Sequence, residues 1–183
     1  MSAYSTWPAD DFEVWESLQL FDFPSGEQPA PSRPLETGFP LTATLLGARK
    51  RGESVSVDTV GGRTWTVYPR AVGRNWFSGQ TDTPERGVVI SLDAVVELRC
   101  TCPPDVDAAP VAASLSRAIA VTAKRRRTVR VTTSTNSREG VIRELGADYV
   151  TITRGSLDGR HSVMTISFSH LVAVEFLEPG DIF

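Results

Sequence analysis

The chain has 183 residues, 40 % of them hydrophobic, and 19 Lys and Arg against 22 Asp and Glu, a formal charge of −3. That is enough apolar material for a core, but no apolar run approaches the roughly 18–20 residues of a membrane-spanning helix. The start "MSAYSTWPADDFEVW" lacks the pattern of a secretory signal, and Cys100 and Cys102 are too few and too close for a disulfide framework, so a soluble cytoplasmic protein is expected.

Charge is divided along the chain. Residues 1–40 hold seven acids and one base, whereas the remainder holds fifteen acids and eighteen bases. Residues 1–39 therefore read as an acidic arm. Its first part, "DDFEVWESLQLFDFP", interleaves acids with Phe, Trp and Leu that need burial somewhere. Its second part, "PSGEQPAPSRPLETGFP", reads as a linker or strap. Two roles stay open for the arm. It covers apolar surface of the body, or it competes there for positive charge, helped by the high local concentration that tethering gives.

The body opens with "PLTATLLGARKR" (40–51), a short helix weakened by Gly47 and two Thr. "VSVDT" then alternates as a strand, "VGG" (60–62) turns, and a second strand ends at Gly73. A third strand starts at Trp76, a polar loop follows at 78–87, and "GVVISLDAVVELR" (87–99) closes the unit with a tight bend. After a linker over 101–109 the pattern returns. "PVAASLSRAIAVTAKRR" (110–126) is an amphipathic helix with Pro110 at its start and Val111, Leu115, Ala118 and Ile119 on one face. "VRVTT", the turn "TNS", a strand ending at Gly146, one starting at Tyr149, a loop at 154–161 and "SVMTISFSHLVAVEF" (162–176) complete it.

The recurrence is an internal repeat. A shift of 74 residues sets Leu41 on Leu115, Lys50 on Lys124, Val55 on Val129 and Val57 on Val131. A one-residue deletion sets "VGRNWF" (72–77) on "LGADYV" (145–150), and a small insertion sets "ISLDAVV" (90–96) on "ISFSHLV" (166–172). Each unit has one helix and five short strands. Strands so short avoid bare edges by closing on themselves. The expected fold is mainly β: two tandem five-stranded barrels, 40–100 and 110–183, each led by a short helix, behind the acidic arm.

"GVIRELGADYVTIT" (140–153) resembles the first Sm motif of Sm, LSm and Hfq proteins. "ISFSHLVAVEF" and "ISLDAVVELR" are similar to the second, in its Hfq form. The resemblance covers 40–100 and 110–176 and implies Sm-like (SH3-like) barrels that join through their fourth and fifth strands, and RNA as partner. Repeat 1 departs from the pattern, with Thr66 or Val67 where Gly is expected and Asn75 in place of Asp148. Neither repeat carries the aromatic–Lys–His sequence with which Hfq-type proteins meet RNA in the ring pore.

Both repeats place cations where the helix meets the first strand: Arg49, Lys50 and Arg51, then Lys124, Arg125, Arg126 and Arg127, with Arg130 projecting outward between two valines. The resemblance implies that this rim contacts RNA. Phosphate binding accounts for such a cluster, and so does a solvated helix end complementing its dipole. Cys100 and Cys102 with His161 or His170 make a poor zinc set. Asp93, Asp148 and His170 read as turn residues, and Trp65, Trp76 and Phe77 as core. No nucleophile elbow, phosphate-binding glycine loop or paired Cys/His motif is present, so no enzyme and no cofactor is expected. Two functions follow as expectations: an RNA-binding regulator or chaperone using the basic corners, or an assembly module whose units self-associate or dock a partner.

Overall fold

The computed structural model describes residues 40–82, 86–123, 128–155 and 161–177. The acidic arm and the run Lys124–Arg127 lie outside the described residues. Among those described, no helix is long and apolar enough to cross a membrane.

Helix α1 spans Leu41–Arg51 and buries Ala43, Leu45, Leu46 and Ala48. It ends on Gly52 in the left-handed region at φ 67°, where the Glu53 N–H reaches back to the Ala48 carbonyl at 3.0 Å. Gly47, which weakens the helix by propensity, is required by packing. A Cβ there would lie 2.3 Å from the Pro103 carbonyl oxygen. Strands β1 (Val55–Thr59), β2 (Arg63–Val72), β3 (Trp76–Thr81) and β4 (Gly87–Ser91) follow, then a 3-10 turn at Leu92–Ala94 and β5 (Val95–Arg99). Helix α2 (Leu115–Ala123) precedes β6 (Thr128–Thr133), β7 (Ser137–Leu145), β8 (Tyr149–Gly155) and β9 (His161–Ser167). A second 3-10 turn at Phe168–His170 leads into β10 (Leu171–Phe176).

The expected pair of closed five-stranded barrels does not form. All ten strands join one open sheet in the order β5-β1-β2-β3-β4-β10-β6-β7-β8-β9. Closure of the first unit would need β4 to meet its own β5. Instead β4 meets β10, pairing Ile90 with Ala173, Val89 with Val174, Val88 with Glu175 and Gly87 with Phe176. The physical reason lies in composition. "GVVIS" and "LVAVEF" are buried along their whole lengths, as befits central strands. Strand β5, "VVELR", is largely exposed and carries Glu97 and Arg99, as befits an edge.

Within the open sheet the two halves keep one strand order and one register. Ser56 opposes Arg99 as Arg130 opposes Glu175, Phe77 opposes Ile90 as Val150 opposes Ile166, and Val55 opposes Val67 as Val129 opposes Gly140. Each half has its own core, and the central strands serve both. Val88, Ile90 and Ala173 join Leu45, Val55, Val57, Trp65, Val67 and Phe77. Val89, Val174 and Phe176 join Leu115, Ile119, Val129, Val131, Val150 and Ile152. Successive side chains of a strand point to opposite faces, so one strand pair ties the cores together.

The register also fixes which residue of the first half takes the place of Gly140. Val67 stands where Gly140 stands in the second, and the facing strand compensates, with Gly79 where the second half has Ile152. Each small–large pair fills one slot. A Cβ on Gly79 would lie 2.6 Å from Val67 Cγ1 and 2.2 Å from the Tyr68 carbonyl oxygen; one on Gly140 would lie 2.6 Å from that of Thr153. Gly79→Ala and Gly140→Ala are each expected to destabilise the chain by about 1–3 kcal/mol, the usual cost of overpacking, in denaturant unfolding.

Candidate functional site

Three features of the body bear chemistry or contact surface: the basic corner, an ion-pair knot between the halves, and the two outer edges of the sheet.

At the first corner, basic residues occupy the last turn of α1 as the helix dipole favours. Arg49 is exposed. Lys50 Nζ meets Asp105 at 2.9 Å while its side chain stays 71 % exposed. That hydrogen bond holds the Asp105 carboxyl below its usual range. Arg51 donates to the carbonyls of Gly47 at 3.2 Å and Pro103 at 3.1 Å. Lys50 and Arg51 thus fasten the segment after β5 to the helix. The second corner, Lys124–Arg127, is outside the described residues.

Arg130 does not stand alone as an outward cation. On β6 it donates to Glu139 of β7 at 3.0 Å and to Glu175 of β10 at 3.3 Å. Its pKa is raised, chiefly by the Glu139 hydrogen bond. Glu175, with only 4 % of its side chain exposed, also accepts from Arg63 of β2 at 3.1 Å. Arg63 lies over the Trp65 ring, 3.9 Å from its centroid. A buried carboxylate therefore binds one guanidinium from each half. Sequence reading missed this knot; its signal was a single acid inside the apolar run "LVAVEF".

Asp93 and Asp148, read as turn residues, share a surface depression of about 260 Å³ with Asn75, Ser91, Ser114 and Ser169. The Asp148 backbone carbonyl accepts from the Phe168 N–H at 2.7 Å, continuing the β8·β9 ladder. Neighbouring Tyr149 donates its hydroxyl to Glu144 at 2.7 Å, and that carboxylate raises the phenol's pKa. Trp65, Trp76 and Phe77 are buried, as core residues should be.

The sheet ends in β5 on one side and β9 on the other. Val96 on β5 is 68 % exposed and Val163 on β9 is 51 % exposed. From Ser162 to Ser167 the β9 edge reads "SVMTIS", with no charge and no proline. Natural edges usually carry one or the other. Near the end of β5, Cys100 and Cys102 are joined to each other, their Cα atoms 5.4 Å apart, a separation within the usual disulfide range. A loop of three residues constrains the unfolded chain by only about 1.6 kcal/mol.

Comparison with protein-family models, curated proteins and solved structures finds no match.

Three outcomes test the polar geometry. Glu175→Gln is expected to cost about 1–3 kcal/mol in urea unfolding, since both arginines lose a buried charged acceptor. Arg63→Gln costs less, because Arg63 is 38 % exposed and solvent screens its share. Glu144→Gln lowers the pH at which Tyr149 ionises, read from tyrosinate absorbance. The stability contribution of this contact is complete below the unfolded tyrosine pKa and fades as pH rises through the higher folded one.

Proposed function

We propose that the chain is a non-enzymatic assembly module whose copies join head to tail, β9 of one against β5 of the next. One observation carries this reading. The β4·β10 junction inside the chain joins the fourth strand of one half to the fifth strand of the other. The edges left over, β9 and β5, are the fourth strand of the second half and the fifth strand of the first. They are the same two surfaces, one chain apart.

The internal register transfers directly. It sets Glu97 opposite Ile166 of the next copy, Leu98 opposite Thr165, Arg99 opposite Met164 and Cys100 opposite Val163. Such a contact is heterologous, so it propagates into a closed ring or a filament. It covers the uncharged edge "SVMTIS" and the exposed valines at 96 and 163. The occupant is a second copy because the complementary edge is already used within each chain.

RNA at the basic corners is the second reading, favoured by the exposure of Arg49 and of Lys50. Copurifying RNA whose release tracks salt would support it.

Light scattering tests the assembly. The Phe168 N–H bonds to Asp148 across β8·β9, and strict alternation then turns the Val163 N–H outward. Val163→Pro removes that donor without breaking the ladder to β8. The wild type is expected to exceed monomer mass at tens of micromolar, Val163→Pro to stay monomeric with unchanged circular dichroism, and added Val163→Pro chains to shorten wild-type assemblies through their intact β5. A monomeric wild type at high micromolar concentration overturns the reading.

A further inference from the structure

Cys100, Cys102 and Glu53 come from two separate segments, yet their sulfur and carboxylate ligand atoms all lie within 4.8 Å of one another. We infer that these three residues form a zinc site when the cysteines are reduced, and that the Cys100–Cys102 disulfide is the closed, metal-free state of the same site. Sequence reading tried the cysteines with His161 or His170; folding brings in a carboxylate that lies 47 positions before the first cysteine.

The donor set suits a borderline metal: two thiolates and one carboxylate, with a water completing a tetrahedron. Zn–S bonds of about 2.3 Å place two sulfurs about 3.8 Å apart, so the three donors need only small adjustment once the disulfide opens. Their supports are already fixed. Glu53 follows the Gly52 cap, and its N–H is bonded to Ala48 at 3.0 Å. Cys102, 7 % exposed, belongs to the first core. The residues after it are held by the Asp105 N–H to the Ala43 carbonyl at 2.9 Å, by the Lys50–Asp105 pair and by Arg51 on the Pro103 carbonyl. Cys100 and Glu53 are partly exposed, which leaves the fourth position open to water.

Charge is consistent with this. Two thiolates and a carboxylate carry −3, a zinc ion brings +2, and Arg51, bonded to the residue next to Cys102, offsets the remaining unit. The chemistry balances. A small thiol reductant is oxidised to its disulfide as the protein disulfide becomes two thiols, and zinc then displaces two protons from them. A disulfide spanning three residues adds little to fold stability, so opening it leaves the scaffold standing.

The test uses the full chain, reduced and oxidised, titrated with Zn²⁺ against a chromophoric chelator and with Co²⁺ by absorbance. The reduced chain is expected to bind one metal and to show thiolate-to-cobalt charge transfer, and the oxidised chain to show neither. Glu53→Gln is expected to weaken Zn²⁺ binding by at least about tenfold, the lower end of what losing even a supporting partner costs. Cys100→Ser, at the partly exposed position, should abolish the charge-transfer band. If that variant fails to fold, protection of the wild-type thiols from iodoacetamide by Zn²⁺ gives the same readout. No charge transfer in the reduced chain, unchanged affinity in Glu53→Gln, or no protection overturns the proposal. Because the assembly would set Cys100 against a neighbouring copy, the same readouts are taken on Val163→Pro, whose unchanged metal binding lets this site and the assembly fail separately.

Discussion

The pairing of β4 with β10 is the constraint on which the rest of the structure depends. Both strands are buried throughout, and their apolar side chains enter one core or the other. Val88 and Ile90 point one way, Val89 the other, and across the ladder Ala173 and Val174 divide in the same sense. Because β4 spends its outer edge on β10, β5 pairs with β1 alone among the described residues, and their sheet is open at both ends. A closed first barrel would satisfy β5 but would leave β10 without its second partner. Packing two wholly buried, mostly apolar strands against each other removes more surface from water than pairing either with the exposed, charged β5, and burial is the larger favourable quantity.

The polar interactions follow from that junction. Glu175 is buried because β10 is central, and a buried carboxylate is tolerable only when its oxygens are fully engaged. Arg63 engages one oxygen and Arg130 the other. Arg130 projects from its strand between two core valines, as the alternation of "VRVTT" requires, but what it meets is decided by the neighbouring strands β7 and β10. A cation that reads as available in sequence is thus neutralised in the fold. Arg49 and Lys50, at a helix end, stay exposed to solvent, and the two kinds of basic residue have little in common beyond their charge.

The small–large exchange between Val67/Gly79 and Gly140/Ile152 shows how two halves with little sequence in common keep one register. Interiors are close-packed, so the volume of a slot is conserved even where the residue supplying it changes strand. Read along a single strand, Val67 is a departure from the pattern of the second half. Read across β2·β3, it is half of a matched pair.

Much of the local structure was legible in the residues. Alternation placed Val55, Val57, Val129 and Val131 in the cores, where all four are almost fully buried, and "VGG" marked a turn in which Gly61 and Gly62 take positive φ. The bends after β4 and β9 fall inside the two closing segments. These features depend on near neighbours: side-chain period, turn chemistry and chain stiffness. Which edge each strand pairs with, the partner of Arg130, and the meeting of Glu53 with Cys100 and Cys102 were decided only in three dimensions. A strand edge offers the same N–H and C=O groups whatever its side chains, so hydrogen bonding does not select the partner. Selection comes from how much apolar surface each arrangement buries, and that depends on residues brought together from the whole chain.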